Sequence, residues 1–284
     1  MTRLAPGTGS GSRPGGIAGP GTVALAGGEA MSRLDGRALV TGGTSGIGRA
    51  MAEALLEAGM EVVLAARDQK RLDDVAGAWR ARGLRAQSAQ VDVRDPASVA
   101  QLADWVGGHP GGLDLLVNNA GIGMRTVNPR FMTDPQPFFE VPIAGFEDVV
   151  RTNLTGYFLV ARAFAPLFLR QGHGRIVNIT MNTETMQRRG FVPYGPARAG
   201  AEALSRIMAE DLRPYGIAVN QLLPGGATAT GMIPDGLGPA GLLQPEIMGP
   251  PIVFLASPAA AGLTGERIVA KDFDLWLRDH GFGS

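Results

Sequence analysis

The chain has 284 residues, 45% of them hydrophobic, which is enough for a sizeable core, and we expect a single domain. Its 26 basic and 26 acidic side chains cancel, so charge gives no basis for binding nucleic acid or an anionic membrane surface. The absence of cysteine excludes disulfides and thiolate catalysis, and three histidines without metal-ligand spacing lead us to expect no metal.

Residues 1–32 are rich in Gly, Pro, Ala and Thr and lack the continuous apolar core of a signal peptide. Such a composition cannot bury enough surface to offset the entropy of ordering. We therefore predict a disordered tail, with an upstream start before Met31 as the alternative, followed by one domain over residues 33–284. No apolar run approaches the roughly 18 residues of a membrane-spanning helix, so we expect a soluble, cytoplasmic protein with no membrane partner.

Strand-like runs alternate with helical patterns along the rest of the chain. Most runs are aliphatic without strict alternation, which is typical of strands buried on both faces of a parallel sheet. Helical spacing lies between them, as at Leu204, Met208 and Leu212. The seven runs are Arg37–Val40, Glu61–Ala65, Arg85–Val91, Leu113–Val117, Arg175–Ile179, Ile217–Leu222 and Arg267–Val269. This alternation predicts a doubly wound α/β fold, with ligand at the carboxyl ends of the strands.

A glycine-rich segment, Thr41-Gly-Gly-Thr-Ser-Gly-Ile-Gly48, follows the first run and opens the helical pattern of Ile47, Met51 and Leu55. A glycine turn at a helix N-terminus presents backbone N–H groups to a pyrophosphate in the field of the helix dipole. A flexible turn is the alternative, but the flanking strand and helix favour a dinucleotide site. The predicted cofactor-binding residues here are Gly42, Thr44, Ser45, Gly46, Ile47 and Gly48.

Further motifs follow in a fixed order. They are Asn118-Asn-Ala-Gly121, Asn153 within Arg-Thr-Asn-Leu, Gly174-Arg-Ile-Val-Asn-Ile179, Tyr194-Gly-Pro-Ala-Arg198 and Pro224-Gly225. In order and spacing the chain resembles the short-chain dehydrogenase/reductase family from about Leu34 to Val269. The resemblance implies a Rossmann-type domain with a mainly parallel seven-stranded sheet, a nicotinamide cofactor, and a homodimer or homotetramer built on two long helices around residues 145–170 and 195–213.

The resemblance also assigns further cofactor contacts. Asp92 and Val93 would lie beside the adenine. The adenosine ribose and the floor of the site would be lined by Asn119, Ala120 and Gly121, and the carboxamide would be held by Pro224, Gly225 and Ala227 or Thr228. Two simpler interpretations stay open: Asp92 could cap a turn, and the asparagines after the fourth run could stabilise strand ends through their side chains.

The end of the second run, Leu64-Ala-Ala-Arg-Asp68, bears on cofactor choice. A carboxylate there would bond the ribose hydroxyls of NAD, whereas an arginine pairs with the 2′-phosphate of NADP. The acidic position of the family is Ala66, and Arg67 follows it, which favours NADP(H) over NAD(H). Asp68 is a competing signal, although it also stands at the N-cap of the next helix. Ser45, where many NADP-using relatives carry a basic residue, weighs against NADP.

Proton transfer is expected to centre on Tyr194. An alkoxide formed by hydride transfer needs a proton, and a phenol, with an unperturbed pKa near 10, needs a nearby cation to exchange one at neutral pH. In the family that cation is a lysine four residues later, where this chain has Arg198. Arginine keeps the charge and can reach ribose hydroxyls, but it does not give up its proton.

A second departure concerns the catalytic serine of the family, whose position is occupied by Met181. A thioether cannot donate a hydrogen bond. Thr180, Asn182 and Thr183 carry donors, and a one-residue shift at the strand end would turn Thr180 or Asn182 inward as a substitute. Asn153 is retained, and in the family it holds a kinked helix and a water of the proton relay. An ordinary buried polar residue is its alternative interpretation.

Two segments are expected to set substrate specificity. The stretch between Gly121 and Asn153 is longer than usual for the family and carries Phe131, Met132, Phe138, Phe139 and Val141. Residues 228–250 resemble a mobile lid over a hydrophobic ligand. The apolar residues of this lid are Met232, Ile233, Leu237, Leu242, Leu243, Ile247 and Met248. Packing against a subunit interface or against each other is an equal alternative.

The leading hypothesis is an NADP-dependent oxidoreductase that transfers a hydride between the nicotinamide and a carbonyl or secondary alcohol of a moderately apolar small molecule. Its proposed catalytic residues are Tyr194, Arg198, Asn153, Thr180 and Asn182. A second hypothesis keeps the cofactor site but uses Tyr194 for non-redox acid/base chemistry, as in a lyase, isomerase or cyclase. A third is a non-catalytic NADP-binding regulator.

Overall fold

The structure is a computed structural model that describes residues 33–234 and 241–282, together with two short strands before them. Those strands, Val23–Ala24 and Ala30–Met31, pair antiparallel. The other residues of the predicted tail lie outside the described part of the chain, so its disorder stays a prediction. Within the described residues, no helix combines the length and apolarity that a membrane span requires.

The centre of the molecule is a seven-stranded sheet in which every neighbouring pair is parallel. Its strands are β1 (Arg37–Thr41), β2 (Glu61–Ala66), β3 (Ala86–Gln90), β4 (Leu115–Asn118), β5 (Gly174–Ile179), β6 (Ile217–Leu223) and β7 (Arg267–Val269). They are ordered β3-β2-β1-β4-β5-β6-β7. Each strand overlaps one predicted run, which confirms the doubly wound fold.

Helices cover both faces of the sheet. They are α1 (Gly46–Glu57), α2 (Gln69–Ala81), α3 (Pro96–Gly107), α4 (Ile143–Val150), α5 (Gly156–Gln171), α6 (Thr183–Met186), α7 (Tyr194–Leu212), α8 (Gly249–Ala256) and α9 (Phe273–Asp279). Adjacent strand residues enter opposite cores: Val40 packs with Met51 of α1 on one face, and Leu39 packs with Phe164 of α5 on the other. Burial on both faces explains why the strands read as continuous aliphatic runs.

The long helix predicted around residues 145–170 is interrupted. A π-helical turn over Arg151–Thr155 joins α4 to α5 and contains Asn153. The helix predicted around residues 195–213 is α7, and it begins at Tyr194 itself. Single π turns inside α-helices are frequent at functional sites, because the extra residue redirects a side chain. Here the turn faces the carboxyl end of β4.

Candidate active site

A cavity of about 710 Å³ opens at the carboxyl edge of the sheet. It is lined by the segments that follow β1, β4, β5 and β6, as expected at the switch point of a doubly wound sheet. The predicted site residues that line it are Gly42, Thr44, Ser45, Gly46, Ile47, Gly48, Asn119, Gly121, Thr180, Asn182, Tyr194, Arg198, Pro224, Gly225, Ala227 and Thr228. Those that do not are Arg67, Asp92, Val93, Ala120 and Asn153.

The glycine loop has the geometry of an anion cradle. Gly42 and Gly46 have positive φ values of 67° and 53°, which an L side chain rarely adopts. A Cβ on Gly48 would collide with the side-chain amide of Asn119 and with the carbonyl of Gly42. Ser45 precedes α1 without a side-chain cap, and the first turn of α1 holds no acidic side chain. The first amides of α1 therefore face the cavity without a capping side chain.

Hydrogen bonds hold this loop against β4. The Thr41 hydroxyl donates to the carbonyl of Val117 at 3.2 Å and accepts from the amide of Asn119 at 3.0 Å. The side-chain amide of Asn119 donates to the carbonyl of Thr41 at 2.9 Å, and that of Asn118 donates to the Asn178 side chain at 2.9 Å. Both asparagines thus stabilise strand ends, as the simpler interpretation proposed, and Asn119 lines the cavity as well.

The residues at the end of β2 bear on the adenosine side of the site. The Asp68 carboxylate accepts from the amide of Arg71 at 3.0 Å and caps α2, so it is engaged in the helix N-terminus. Arg67 is exposed beyond the cavity. Asp92 is paired with Arg94 at 2.8 Å, and this guanidinium holds the pKa of the Asp92 carboxyl below its usual value. The role of Asp92 beside adenine stays a prediction.

Tyr194 and Arg198 meet at the inner end of the cavity. Both line it, and the Arg198 guanidinium carbon lies 5.2 Å from the centre of the Tyr194 ring. Arg198 is only 3% exposed, and no carboxylate pairs with it among the described residues. Its Nε is buried without a hydrogen-bond partner. A buried positive charge therefore lies beside the Tyr194 phenol.

A second tyrosine, which the sequence did not single out, holds Arg198 in place. Arg198 Nη1 donates to the Tyr157 hydroxyl at 2.6 Å and to the carbonyl of Ile179 at 2.8 Å. The Tyr157 hydroxyl itself donates to the Ile179 carbonyl at 3.1 Å. Burial raises the pKa of Tyr157, which is 2% exposed, so this phenol stays protonated. Burial by itself lowers the pKa of Arg198. The interactions with Tyr157 and Tyr194 outweigh this effect, so the pKa of Arg198 is raised.

The position of the catalytic serine offers no hydroxyl to the cavity. Met181 instead packs its side chain against an apolar cluster beside Tyr194. The Thr180 hydroxyl donates to Glu202 at 2.8 Å, so its proton is directed to a buried carboxylate and not to a ligand. Thr183 is exposed and does not line the cavity. Asn182 lines the cavity and uses one amide hydrogen on the carbonyl of Gly225 at 3.1 Å, which leaves its second donor available.

Asn153 does not line the cavity but contacts the backbone of a residue that does. Its side-chain oxygen accepts from the amide of Ile122 at 2.9 Å, and its side-chain nitrogen donates to the carbonyl of Ile122 at 2.9 Å. The side chain is fully buried. This double contact ties the π turn to the segment after β4, and Ile122 in turn lines the cavity. Asn153 therefore positions the wall of the site.

The remaining wall of the cavity is largely apolar. Met124, Phe131 and Phe191 form a buried cluster, against which Met132, Met181 and Tyr194 pack. Five polar wall residues were missed by sequence reasoning: Arg125, Thr126, Thr185, Arg188 and Thr230. Two of these, Thr185 and Arg188, lie in and just after α6, whose four residues have too little periodicity to be recognised in the sequence.

The two predicted specificity segments are only partly at the cavity. Met132 and Ile233 line it, as expected, but Phe138 and Phe139 are each 73% exposed on the outside of the molecule. Met248 is fully buried in the main core, so this residue of the predicted lid packs in the core and does not line the cavity. Residues 235–240, and Leu237 with them, lie outside the described part of the chain. The wall segment from this region is residues 227–233.

Comparison with known proteins decides the family. A family model described as short chain dehydrogenase matches residues 37–235. The chain belongs to the short-chain dehydrogenase/reductase family. The matched region contains the glycine loop, the Tyr194 and Arg198 pair and the first part of the lid. Met181 and Arg198, the two positions predicted to depart from the family pattern, both lie on the cavity wall of this short-chain dehydrogenase.

Named relatives of this short-chain dehydrogenase act on different substrates. The chain is 34% identical to gluconate 5-dehydrogenase of Gluconobacter oxydans over 69% of its length and 73% of that protein. It is 32% identical to 3-oxoacyl-[acyl-carrier-protein] reductase of Escherichia coli over 81% of its length and 93% of that protein. A gluconate 5-dehydrogenase of Burkholderia cenocepacia, solved with NADP and tartrate, superposes with TM-score 0.74 at 31% identity, covering 84% and 94% of the two chains.

The nicotinamide cofactor of this family fits the cavity. The glycine cradle leaves no room for a side chain at Gly48 and presents the uncapped amides of α1, which suits a pyrophosphate. At the inner end, the orphaned Nε of Arg198 is a buried donor without a partner, which suits ribose oxygens. The chain therefore has a donor set for both the phosphates and the sugar.

Proposed function

We propose that this short-chain dehydrogenase transfers a hydride between NADP(H) and a carbonyl or secondary alcohol of a small, partly apolar molecule. The observation that carries the proposal is the meeting of Tyr194 and Arg198 in the cavity that also contains the glycine cradle. Bound nicotinamide supplies the hydride in reduction and accepts it in oxidation. The surrounding residues supply orientation, charge and the proton.

Tyr194 is the proposed proton donor in reduction and acceptor in oxidation. Tyr194 lines the cavity, and its hydroxyl lies 4.0 Å from the Met232 sulfur. The guanidinium of Arg198 stabilises the phenolate that remains after the proton has moved to the substrate oxygen. Because arginine keeps its protons, Tyr194 regains its own along a path that does not pass through Arg198. The second amide hydrogen of Asn182 is the proposed donor that orients the substrate oxygen.

NADP is the proposed cofactor, in preference to NAD. No carboxylate stands at Ala66, and Asp68 is occupied by the N-terminus of α2. Arg67 is the exposed cation at the end of β2, where a 2′-phosphate would lie. Support also comes from relatives, since the Burkholderia cenocepacia enzyme was solved with NADP and an actinorhodin polyketide ketoreductase with NADPH.

The test is a spectrophotometric assay of the purified protein with NADPH or NADH and a panel of ketones, oxo acids and oxoesters. We expect absorbance of the reduced cofactor to fall with at least one carbonyl, faster with NADPH, and to stay constant in the Tyr194→Phe variant. Conversion of a substrate without any change in cofactor redox state would replace this proposal by acid/base chemistry at Tyr194. That second function is favoured by one observation, the thioether of Met181 at the serine position.

We also propose that the protein forms a homodimer or homotetramer through α5 and α7. The two helices expose large apolar side chains, with Phe158 44% and Ile207 59% accessible. Exposed apolar residues on adjoining long helices are typical of a surface that a second copy covers. The resemblance to the family points to the same two helices.

A further inference from the structure

Every charged residue that lines the cavity in the described part of the chain is positive. Among the described residues that line it there are three arginines, Arg125, Arg188 and Arg198, and no aspartate or glutamate. Arg125 donates to the carbonyls of Gly231 and Ile233 at 3.1 and 3.0 Å, so it fastens the lid segment. Arg198 is engaged with Tyr157 behind Tyr194. These two cations therefore have structural or catalytic partners within the protein.

Arg188 differs from both. Its guanidinium carbon lies 5.4 Å from the centre of the Phe191 ring, and no side-chain hydrogen bond or ion pair joins it to any residue in the described part of the chain. A guanidinium has five N–H donors arranged as a planar fork that matches a carboxylate. The Thr185 hydroxyl, one helical turn earlier, also lines the cavity without a side-chain partner among those residues. Arg188 and Thr185 thus present to the cavity a cation and a hydroxyl that have no side-chain partner in the described part of the chain.

An apolar surface connects this pair with the proposed catalytic tyrosine. The Phe191 ring beneath Arg188 packs edge-on against Phe131, with ring centres 5.6 Å apart. Both belong to the cluster against which Tyr194 and Met181 pack. A ligand whose carbonyl lies at the Tyr194 hydroxyl would therefore run along aromatic and thioether groups before reaching Arg188. A cation at one end of the cavity and an apolar path from it to Tyr194 would complement an acid with a carbon chain.

We propose that Arg188 binds the carboxylate of the substrate, so that the enzyme acts on an oxo acid or hydroxy acid whose apolar chain separates the reacting carbon from the carboxylate. The proposal rests on the proposed function, because it places the carbonyl at Tyr194. Arg188 would hold the carboxylate through two parallel N–H···O bonds, with the Thr185 hydroxyl as a further donor. In this role Arg188 determines specificity and takes no part in proton transfer.

The activity test compares three sets of compounds with the whole protein and NADPH: straight-chain methyl-ketone acids of increasing length, their methyl esters, and neutral ketones of equal length. We expect the acids to have the highest kcat/KM, with an optimum at one chain length. In Arg188→Gln the KM for the best acid should rise about 10- to 100-fold, as expected for loss of a charged hydrogen bond. The KM for the corresponding methyl ester should stay unchanged.

Arg189→Gln is the matched control, since Arg188 and Arg189 are both exposed but only Arg188 lines the cavity. It should keep the preference for acids, and Arg188→Lys should keep part of it. If acids and esters are reduced equally well by the native enzyme, or if Arg188→Gln affects both alike, the substrate proposal is overturned while the oxidoreductase proposal stands.

A binding measurement decides the question even without turnover. Titration calorimetry of the native protein with a straight-chain monocarboxylate should show binding that weakens at high salt, with at least about 10-fold lower affinity in Arg188→Gln and none for the methyl ester. Equal affinity for acid and ester would overturn the proposal. Because this readout needs no reaction, its failure is distinguishable from the absence of redox activity.

Discussion

At the level of single residues, the site contains two predicted departures from the family pattern, Met181 and Arg198, and a tyrosine that contacts the second of them. Arg198 stands at the lysine position, and Tyr157 accepts one of its hydrogen bonds at 2.6 Å from 41 residues away in the chain. The guanidinium is larger than an ammonium and has more donors to satisfy when it is buried. Tyr157 meets part of that requirement, so we interpret Tyr157 and Arg198 as a matched pair.

Tyr157→Phe tests this pairing. Removing the hydroxyl leaves a buried cationic donor short of one acceptor, which we expect to cost about 1–3 kcal/mol of unfolding free energy and to lower kcat with little change in KM. The measurements are chemical denaturation and steady-state kinetics across pH. The Arg198→Lys variant should be less sensitive to Tyr157→Phe, because lysine lacks the extra donors. Tyr215→Phe, at an exposed tyrosine, is the control and should change neither quantity.

Two candidates for the missing serine are separated by a pair of variants. Asn182→Ala removes a donor that faces the cavity, and we expect kcat to fall about 10-fold, as for loss of one hydrogen bond to a developing charge. Thr180→Val removes a hydroxyl that is bonded to Glu202, so it should lower stability by about 1–3 kcal/mol and leave kcat nearly unchanged. The opposite outcome would show that Thr180 turns towards the substrate during the reaction.

Cofactor choice is also a matter of single residues. Ala66→Asp would place a carboxylate at the end of β2, and we expect kcat/KM with NADPH to fall about 10- to 100-fold while that with NADH is maintained or rises. Asp68→Ala removes the cap of α2 and should lower stability by about 1 kcal/mol without changing the NADPH to NADH ratio. A change of that ratio in Asp68→Ala would instead support Asp68 as a ribose ligand.

At the level of elements, the glycine loop and α1 are built for close approach of the backbone to a ligand. The loop is held on β4 through Thr41 and Asn119, and the amide end of α1 is left without a cap. The π turn between α4 and α5 has a similar function at the segment after β4, where Asn153 holds Ile122. In both places a side chain from one element fixes the backbone of another.

A pair of glycine substitutions tests the cradle. Gly48→Ala would place a methyl group against Asn119 and the carbonyl of Gly42, and we expect a loss of about 1–3 kcal/mol in stability together with loss of NADPH binding by calorimetry. Gly77→Ala is the control, because only Arg80 approaches within 4 Å there. In the interior of α2 this control should raise stability by about 0.5–1 kcal/mol and leave cofactor binding intact.

At the level of the whole molecule, the site is assembled at one edge of a parallel sheet whose two faces are both closed by helices. The surface left over on α5 and α7 is where a second copy is proposed to pack. Ile207→Glu would place a charge in that surface, and we expect a monomer in light scattering where the native protein gives a dimer or tetramer. Leu275→Glu is the control. It introduces the same charge at another exposed apolar residue, on α9, and should leave the assembly unchanged. A native monomer would contradict the interface.

Much of the fold was predictable because it depends on neighbouring residues. Aliphatic runs such as Glu61–Ala65 identified strands buried on both faces, and Asp68 was recognised as an N-cap from its position before a helical pattern. The order of the glycine loop, asparagines, tyrosine and proline motifs then indicated the family. Boundaries were less accurate: the π turn at Asn153 divides a helix that the periodicity presents as one, since both conformations keep similar spacing.

The doubly wound sheet, the family, the glycine cradle and the roles expected of Tyr194, Arg198 and Met181 could be inferred from the chain alone, because they depend on local periodicity and on contiguous motifs. The three-dimensional arrangement was needed to find that Thr180 donates to Glu202, that Tyr157 supports Arg198, that Phe138 does not line the cavity, and that Arg188 does. Side-chain direction at the end of a strand or after a short helix depends on distant partners, and distant partners have no periodic signature in the sequence.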